Sequence, residues 1–351
     1  MTGSANPPIG TPTYVPYSNN MNQPSPGEDQ LIDKIVEALH RNNEWAFKRY
    51  QHAVRDAHAK SHGLLYGELT VYDGLDPHLS QGLFKTPASK TPATYPVVAR
   101  LSSTHPVIVS DQIRGVRAIA IKVIGVQGVR VPDTGLPGEP ATTQDFVLVN
   151  RARFPFANAR SYHTWGMPLA SVLARSPELL LKLFTESLAA VQSVLHPFGI
   201  SLPFALALFA TPNTHILGET FYSAAPLRYG DYIAKISLAP LSESVTDLHG
   251  RRVPCKRGYD AITDMVTEFF RSKSAEYEVR AQLCTNLKTM PIDNAAVKWP
   301  EPGAKRTPPE SVSPYCGVAK ITFPIQDAGT PARRVYADDV LSFNSWRAQD
   351  S

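Results

Sequence analysis

Two short stretches concentrate the residue types that could do chemistry. The first is Arg55-Asp56-Ala57-His58-Ala59-Lys60-Ser61-His62-Gly63. An imidazole ionises near neutrality, so a histidine projecting from a fixed backbone can take a proton and return it. The second runs from Ala99-Arg100-Leu101-Ser102-Ser103 to Asp111-Gln112-Ile113-Arg114-Gly115-Val116-Arg117. Strand alternation there points arginines inward, and a buried guanidinium demands an anionic partner. Read singly, each stretch has a bland explanation: a solvated polar loop, or surface arginines paired with nearby acids.

The surrounding elements decide whether these residues can meet. Leu31, Ile32, Ile35, Val36 and Leu39 recur at helical spacing, with Asp29 as a cap. That helix is expected to run through Trp45 and Phe47 toward Ala57. Eight extended segments follow: Tyr66 to Tyr72, Tyr95 to Ser103, Val116 to Ile124, Phe146 to Asn150, Glu219 to Ala225, Tyr232 to Leu238, Glu276 to Cys284 and Val318 to Pro324. Gln127 to Thr143, punctuated by Gly and Pro, reads as a long loop. Residues 168–210 and Tyr259 to Arg271 read as helices.

Neighbouring strands with turn-like links predict an α+β fold: an eight-stranded antiparallel β-barrel with inserted and flanking helices. The stretch from Arg100 to Asn150 carries no helical signal, which argues against a doubly wound parallel sheet. Residues 1–27 hold six of the 31 prolines and few apolar residues, and read as a disordered leader. Residues 28–351 are expected to form a single domain.

With 43% hydrophobic and 19% charged residues, the 351-residue chain can bury a sizeable core. The formal net charge of +4 is too small and too scattered to argue for nucleic acid or an anionic membrane. No apolar run approaches the roughly 20 residues needed to span a bilayer. The longest, Ile200 to Ala210, is broken by Pro203. Neither a basic n-region nor an apolar h-region opens the sequence, so a cytoplasmic location is expected. Cys255, Cys284 and Cys316 show no metal spacing and cannot all pair; they read as small buried hydrophobes.

Taken together, the two stretches resemble the catalase superfamily of heme proteins. Arg55-Asp56-Ala57-His58-Ala59-Lys60 resembles the family segment Arg-x-x-His-Ala-Lys, and Ala99-Arg100-Leu101-Ser102-Ser103 its Val-Arg-Phe-Ser. Asp111 to Lys122 is similar to Asp-x-x-Arg-Asp-Pro-Arg-Gly-Phe-Ala-x-Lys. Three ordered matches on consecutive elements are far more specific than one. The resemblance covers roughly residues 30–345 and is closest to short catalase-related proteins. It implies heme as cofactor, His58 as the base above it, and Ser102 as the hydrogen-bond partner of that base. It also implies Arg55 and Arg100 on the propionates, and Phe154 and Phe156 against the heme face. The implied substrate is hydrogen peroxide or an organic hydroperoxide, handled by a peroxidase, a hydroperoxide-rearranging enzyme or an enzyme of specialised biosynthesis. Homo-oligomers are common in the family.

The sequence departs from the family twice. A distal asparagine is expected just before the strand Phe146 to Asn150, where this chain reads Ala141-Thr142-Thr143-Gln144-Asp145; Thr143 or Gln144 then becomes the candidate. The iron ligand should be the tyrosine of an Arg-x-x-x-Tyr helix after Phe343-Asn344-Ser345-Trp346, and the sequence stops at Ser351. Only Arg228 and Tyr232 have that spacing, across an expected turn, so no metal ligand is assigned. His62 reads as a rim residue, and His163 and His215 receive no role. The alternative reading is a heme-free, non-catalytic binding barrel, or a family member shortened at its C-terminus.

Overall fold

The computed structural model describes residues 13–21, 23–85, 92–128, 142–303 and 312–348. Nine strands form the sheet: β1 (Ser61–Val71), β2 (Thr94–Ser103), β3 (Arg117–Ile124), β4 (Thr143–Val149), β5 (Phe221–Ser223), β6 (Leu227–Tyr229), β7 (Tyr232–Pro240), β8 (Ala275–Leu283) and β9 (Cys316–Phe323). Every pairing is antiparallel, and β5 pairs with β7, closing an eight-strand ring in the order β1-β2-β3-β4-β5-β7-β8-β9. The three-residue β6 stands outside the ring, turning back onto β7 through Gly230 at φ 57°. All eight expected strands are present.

Alternation sets what faces where. Leu65 and Leu69 of β1, with Val97, Ala99 and Leu101 of β2, belong to the main core cluster. Leu64 and Val98 belong instead to a second cluster outside the wall, with Ala337 and Leu341. Arg100 and Ser102 have the parity of Val98, so they leave the barrel on its outer face. The inward placement expected of Arg100 is therefore corrected, although the residue is still buried, at 3% exposure. What buries it is the chain beyond β9.

Among the described residues eight α-helices lie around the ring: α1 (Glu28–Tyr50), α2 (Ala159–Ser161), α3 (Met167–Arg175), α4 (Glu178–Leu195), α5 (Phe204–Ala210), α6 (Glu243–Thr246), α7 (Ala261–Phe270) and α8 (Pro331–Val335). Helix α1 has Glu28 and Asp29 in its first turn, where carboxylates oppose the helix dipole. It stops at Tyr50, short of Ala57, because Gln51 turns left-handed at φ 52°. A π-helical turn, Tyr162–Gly166, joins α2 to α3. A second one, Tyr336–Val340, follows α8.

Residues 13–21, expected within a disordered leader, pack on the barrel. Val15 N–H donates to the Cys284 carbonyl at 2.8 Å, and Tyr17 N–H to the Asp231 carbonyl at 2.7 Å. Val15, Tyr17 and Met21 cover Ile233, Cys284, Met290 and Trp299. Residues 1–12 lie outside the described residues, as does most of the expected loop 127–143. Of the cysteines, Cys284 is buried as expected, whereas Cys255 is exposed. Among the described residues no helix is long and apolar enough to cross a membrane.

Candidate functional site

His58 follows α1 on a loop and adopts φ 57°, a left-handed backbone that a non-glycine residue rarely takes. Such strain persists only where the surroundings impose it. Here they do so twice: the His58 carbonyl accepts from Arg100 Nη2 at 2.9 Å, and its Nδ1 meets Ser102 Oγ at 3.0 Å. When Nδ1 donates to that hydroxyl, Nε2 carries the lone pair. Nε2 has no hydrogen-bond partner among the described residues. Burial foremost, then the nearby Arg100 and Arg55, push the imidazole down to about 4, so it is neutral at pH 7.

The ring looks onto a cavity of about 280 Å³ between the barrel wall and the helices. Val116 and Val149 line it from the barrel, Leu39 from α1, Leu169 and Leu173 from α3, Leu208 and Phe209 from α5. Phe154 and Phe156 stand together in its wall, 5.8 Å apart edge to face, and both touch Tyr162. Gly166 makes that cluster possible. A Cβ there would lie 2.5 Å from the Tyr162 ring and 2.9 Å from Phe156. Burial, with Asp56 nearby, raises the Tyr162 hydroxyl pKa.

The two arginines are held by the chain's own C-terminal stretch. Arg100 donates to Asp338 Oδ1 at 2.7 Å, and Ser61 Oγ donates to the other oxygen at 2.8 Å. Arg55 donates to the Ala337 carbonyl at 2.7 Å and to the Leu341 carbonyl. The anionic partner expected for a buried arginine is thus Asp338, on the π-helical turn after α8.

Of the expected site residues, His58, Ser102, Arg55, Arg100, Phe154 and Phe156 come together. Thr143 does not. It pairs with Ile124 at one end of β4, whereas the site lies at the other, where Ser102 pairs with Ala118 and Ala118 with Val149. Thr143 is buried far from the cavity lining, and its assignment as catalytic is corrected. Asn150, just past β4, sits at the site end of the strand. Its Oδ1 accepts from Arg117 N–H at 3.0 Å and its Nδ2 donates to Glu219 at 3.1 Å.

His62 is corrected from rim to interior, at 0% exposure. Its Nε2 meets Ser103 Oγ at 2.5 Å, and Arg117 Nη1 donates to the same hydroxyl at 2.7 Å. Asp111 anchors this polar network at the barrel end. It pairs with Lys60 at 2.8 Å and accepts from Ile262 N–H at the start of α7. Sequence reasoning passed over His105, a buried histidine that lines the cavity and that burial pushes down to about 3. Its flanks, Thr104 and Pro106, give no periodic signal.

Heme is the group the sequence resemblance implies, and the residues on the His58 side suit it. A neutral imidazole, paired aromatic rings and apolar walls are present, and the Arg100 guanidinium already grips a carboxylate. For the iron ligand that the resemblance implies, no arginine stands four residues before a tyrosine on a helix among the described residues. Nor do three or more His, Cys, Asp or Glu side chains among them form a group that could hold a metal ion. A larger cavity, about 470 Å³, opens between Phe84, Phe146, Tyr229 and Trp346. No histidine lines it among the described residues.

No protein-family model and no curated protein matches the chain. Solved structures do. A fungal catalase shares 16% identity over 97% of this chain and 62% of its own length, at a TM-score of 0.52. Catalase A from Saccharomyces cerevisiae shares 14% identity over 95% of this chain and 62% of its own, at 0.51. The chain therefore has the catalase barrel fold, and it spans less than two thirds of the length of these catalases.

Proposed function

We propose that this chain is a catalase-like heme protein that acts on hydrogen peroxide or an organic hydroperoxide, with His58 as its acid–base group. One observation carries the reading: a neutral imidazole, strained into place and tethered through Nδ1, presents an unpartnered Nε2 to an apolar cavity. Phe154 and Phe156 would lie against the heme, Arg100 would take one of its carboxylates in place of Asp338, and Arg55 the other in place of the Ala337 and Leu341 carbonyls. Bound heme would supply the redox-active iron that O–O cleavage requires. His58 Nε2 accepts the proton of the hydroperoxide O–H. With a folded pKa of about 4, the resulting imidazolium is a strong enough acid to give that proton to the departing oxygen. Ser102 fixes the tautomer, and the apolar walls exclude bulk water.

The experiment is a hemin titration of the purified chain followed by turnover of a hydroperoxide. The expected result is a saturable Soret band at one heme per chain. His58→Ala should then lose about 100-fold or more in turnover while keeping its far-ultraviolet dichroism. Full turnover in His58→Ala would remove the acid–base assignment. A second reading, a heme-free binding barrel, is favoured by the engagement of Arg100 with Asp338 and of Arg55 with two carbonyls. Failure to take up stoichiometric hemin would select it.

A further inference from the structure

We propose that the open groove between the 248–257 loop and α7 binds a small organic phosphate, a phosphate monoester carried on an apolar body. The groove measures about 380 Å³ and shares no lining residue with the His58 cavity. Binding there needs neither His58 nor heme. Four cations line it, Arg251, Arg252, Arg257 and Lys273, against one carboxylate among the described residues, that of Glu268. Arg257 answers that carboxylate, its Nη1 donating to Oε2 at 2.7 Å. The side-chain cations of Arg251, Arg252 and Lys273 have no hydrogen-bond or ion-pair partner among the described residues. All four cationic residues are exposed, so a ligand meets them without any opening of the fold.

His215 separates this cluster from a merely solvated basic loop. It lines the same groove, although only 7% of it is exposed. Its Nδ1 accepts from Leu217 N–H at 3.3 Å, which leaves the ring proton on Nε2. That Nε2–H has no partner among the described residues and, unlike Nε2 of His105, is not sealed from solvent. Burial, then Arg251 and Arg257, push the ring down to about 4, so it stays a neutral donor and adds no repulsion to the cations. The frame is fixed before any ligand arrives. His215 N–H donates to the Arg251 carbonyl at 2.7 Å, Val253 N–H to the Asn213 carbonyl at 3.0 Å, and Thr214 pairs antiparallel with Arg252. Two guanidinium forks, an ammonium, an imidazole N–H and the Ser272 hydroxyl offer more donors than the two oxygens of a carboxylate can use. A phosphate monoester brings three oxygens and a charge of about −1.5 to −2. Leu248, Met265 and Phe269 form an apolar floor that inorganic phosphate would leave uncovered.

The test is calorimetric titration of the purified full chain, at low ionic strength, with phenyl phosphate, phenylacetate and inorganic phosphate. Phenyl phosphate is expected to bind about tenfold or more tightly than either of the others. Arg252→Gln and Lys273→Gln should each weaken it about tenfold, whereas Lys48→Gln, an equal loss of charge on α1, should leave it unchanged. Equal affinities for phenyl phosphate and phenylacetate, or an equal loss in Lys48→Gln, would overturn the proposal, since charge alone would then account for the binding. His215→Leu should also weaken phenyl phosphate. Undiminished binding in that variant, with wild-type far-ultraviolet dichroism, would overturn the site as drawn, and the exposed Arg252 and Lys273 decide the matter if His215→Leu fails to fold. Phosphatidylcholine vesicles containing phosphatidic acid present the same monoester on a surface. Capture by those vesicles of a chain that gives no saturable heat with phenyl phosphate would assign the groove to a lipid surface and overturn the soluble ligand.

Discussion

His58, His105 and His215 are three histidines held neutral by burial, with folded pKa values of about 4, about 3 and about 4 against an ordinary 6.5. A depressed histidine pKa means that the unfolded chain binds more protons than the folded one between the two values. Stability is then full above pH 6.5 and is lost progressively as pH falls toward 4. The urea midpoint should be flat from pH 7 to 8 and decline below 6.5, and His105→Gln should make that decline shallower. A midpoint unchanged down to pH 5 would show that these rings are not held neutral by burial. The first two of these mark how far the site was legible in the sequence. His58 and Ser102 belong to compact motifs, and it is the family resemblance of those motifs that named them. His105 carries no motif, and its role comes from packing against Gly115 and the cavity wall. Asp338 reaches Arg100 across 238 positions, a separation that no local pattern encodes. Thr143 failed because the candidate was sought before β4, while the strand delivers only its far end to the site.

At the scale of elements, the strands were legible because the barrel fills one face of each with apolar side chains and so imposes a period of two. The first half of β1 was not. Ser61 to Leu65 is buried on both faces, and its polar residues Ser61 and His62 bond to Asp338 and Ser103 rather than to solvent, which erases the alternation. The residue 13–21 segment was missed for a related reason. It lies within residues 1–27, where proline, glycine, serine and asparagine prevail, yet a few aromatic and aliphatic side chains suffice to bind it to β7 and β8. The C-terminal stretch that covers the arginines is pinned chiefly by Asp145 of β4, a carboxylate whose side chain is fully buried. It accepts from Lys122 Nζ at 2.8 Å, Arg347 Nη1 at 3.2 Å and Asn344 N–H at 2.9 Å. Removing one member of such a set strands buried cations and costs about 3–5 kcal/mol. Asp145→Ala should therefore lower stability by about that much and expose residues 336–348 to trypsin under native conditions. Proteolysis no faster than in the wild-type chain would mean that α8 and the second cluster hold the stretch without Asp145.

Across the whole molecule, the ring is closed unevenly. β1 and β2 share nine paired positions, and β7 and β8 share seven, whereas the seam between β5 and β7 has two, Phe221 with Leu238 and Tyr222 with Ser237. Beside that seam Ser223 Oγ accepts from Ile236 N–H at 3.0 Å, extending the closure by a side chain where the backbone ladder has run out. One wall of the site adjoins this seam, since Val149 of the cavity lining pairs with Tyr222 of β5, whereas Arg100 and Ser102 are mounted on the densely paired β1–β2 side. Opening of the molecule should begin at the thin side, where few hydrogen bonds must break together. Amide exchange is accordingly expected to be fastest among the barrel strands at β5 and slowest in β1 and β2. Ser223→Ala leaves the Ile236 N–H buried and unpaired, at a cost of about 1–3 kcal/mol. It should accelerate exchange in β5 and in the facing part of β7 and leave His58 and its partners on β2 as protected as before. Uniform acceleration around the ring would show instead that the barrel opens as one cooperative unit, with the candidate site exposed whenever any strand is.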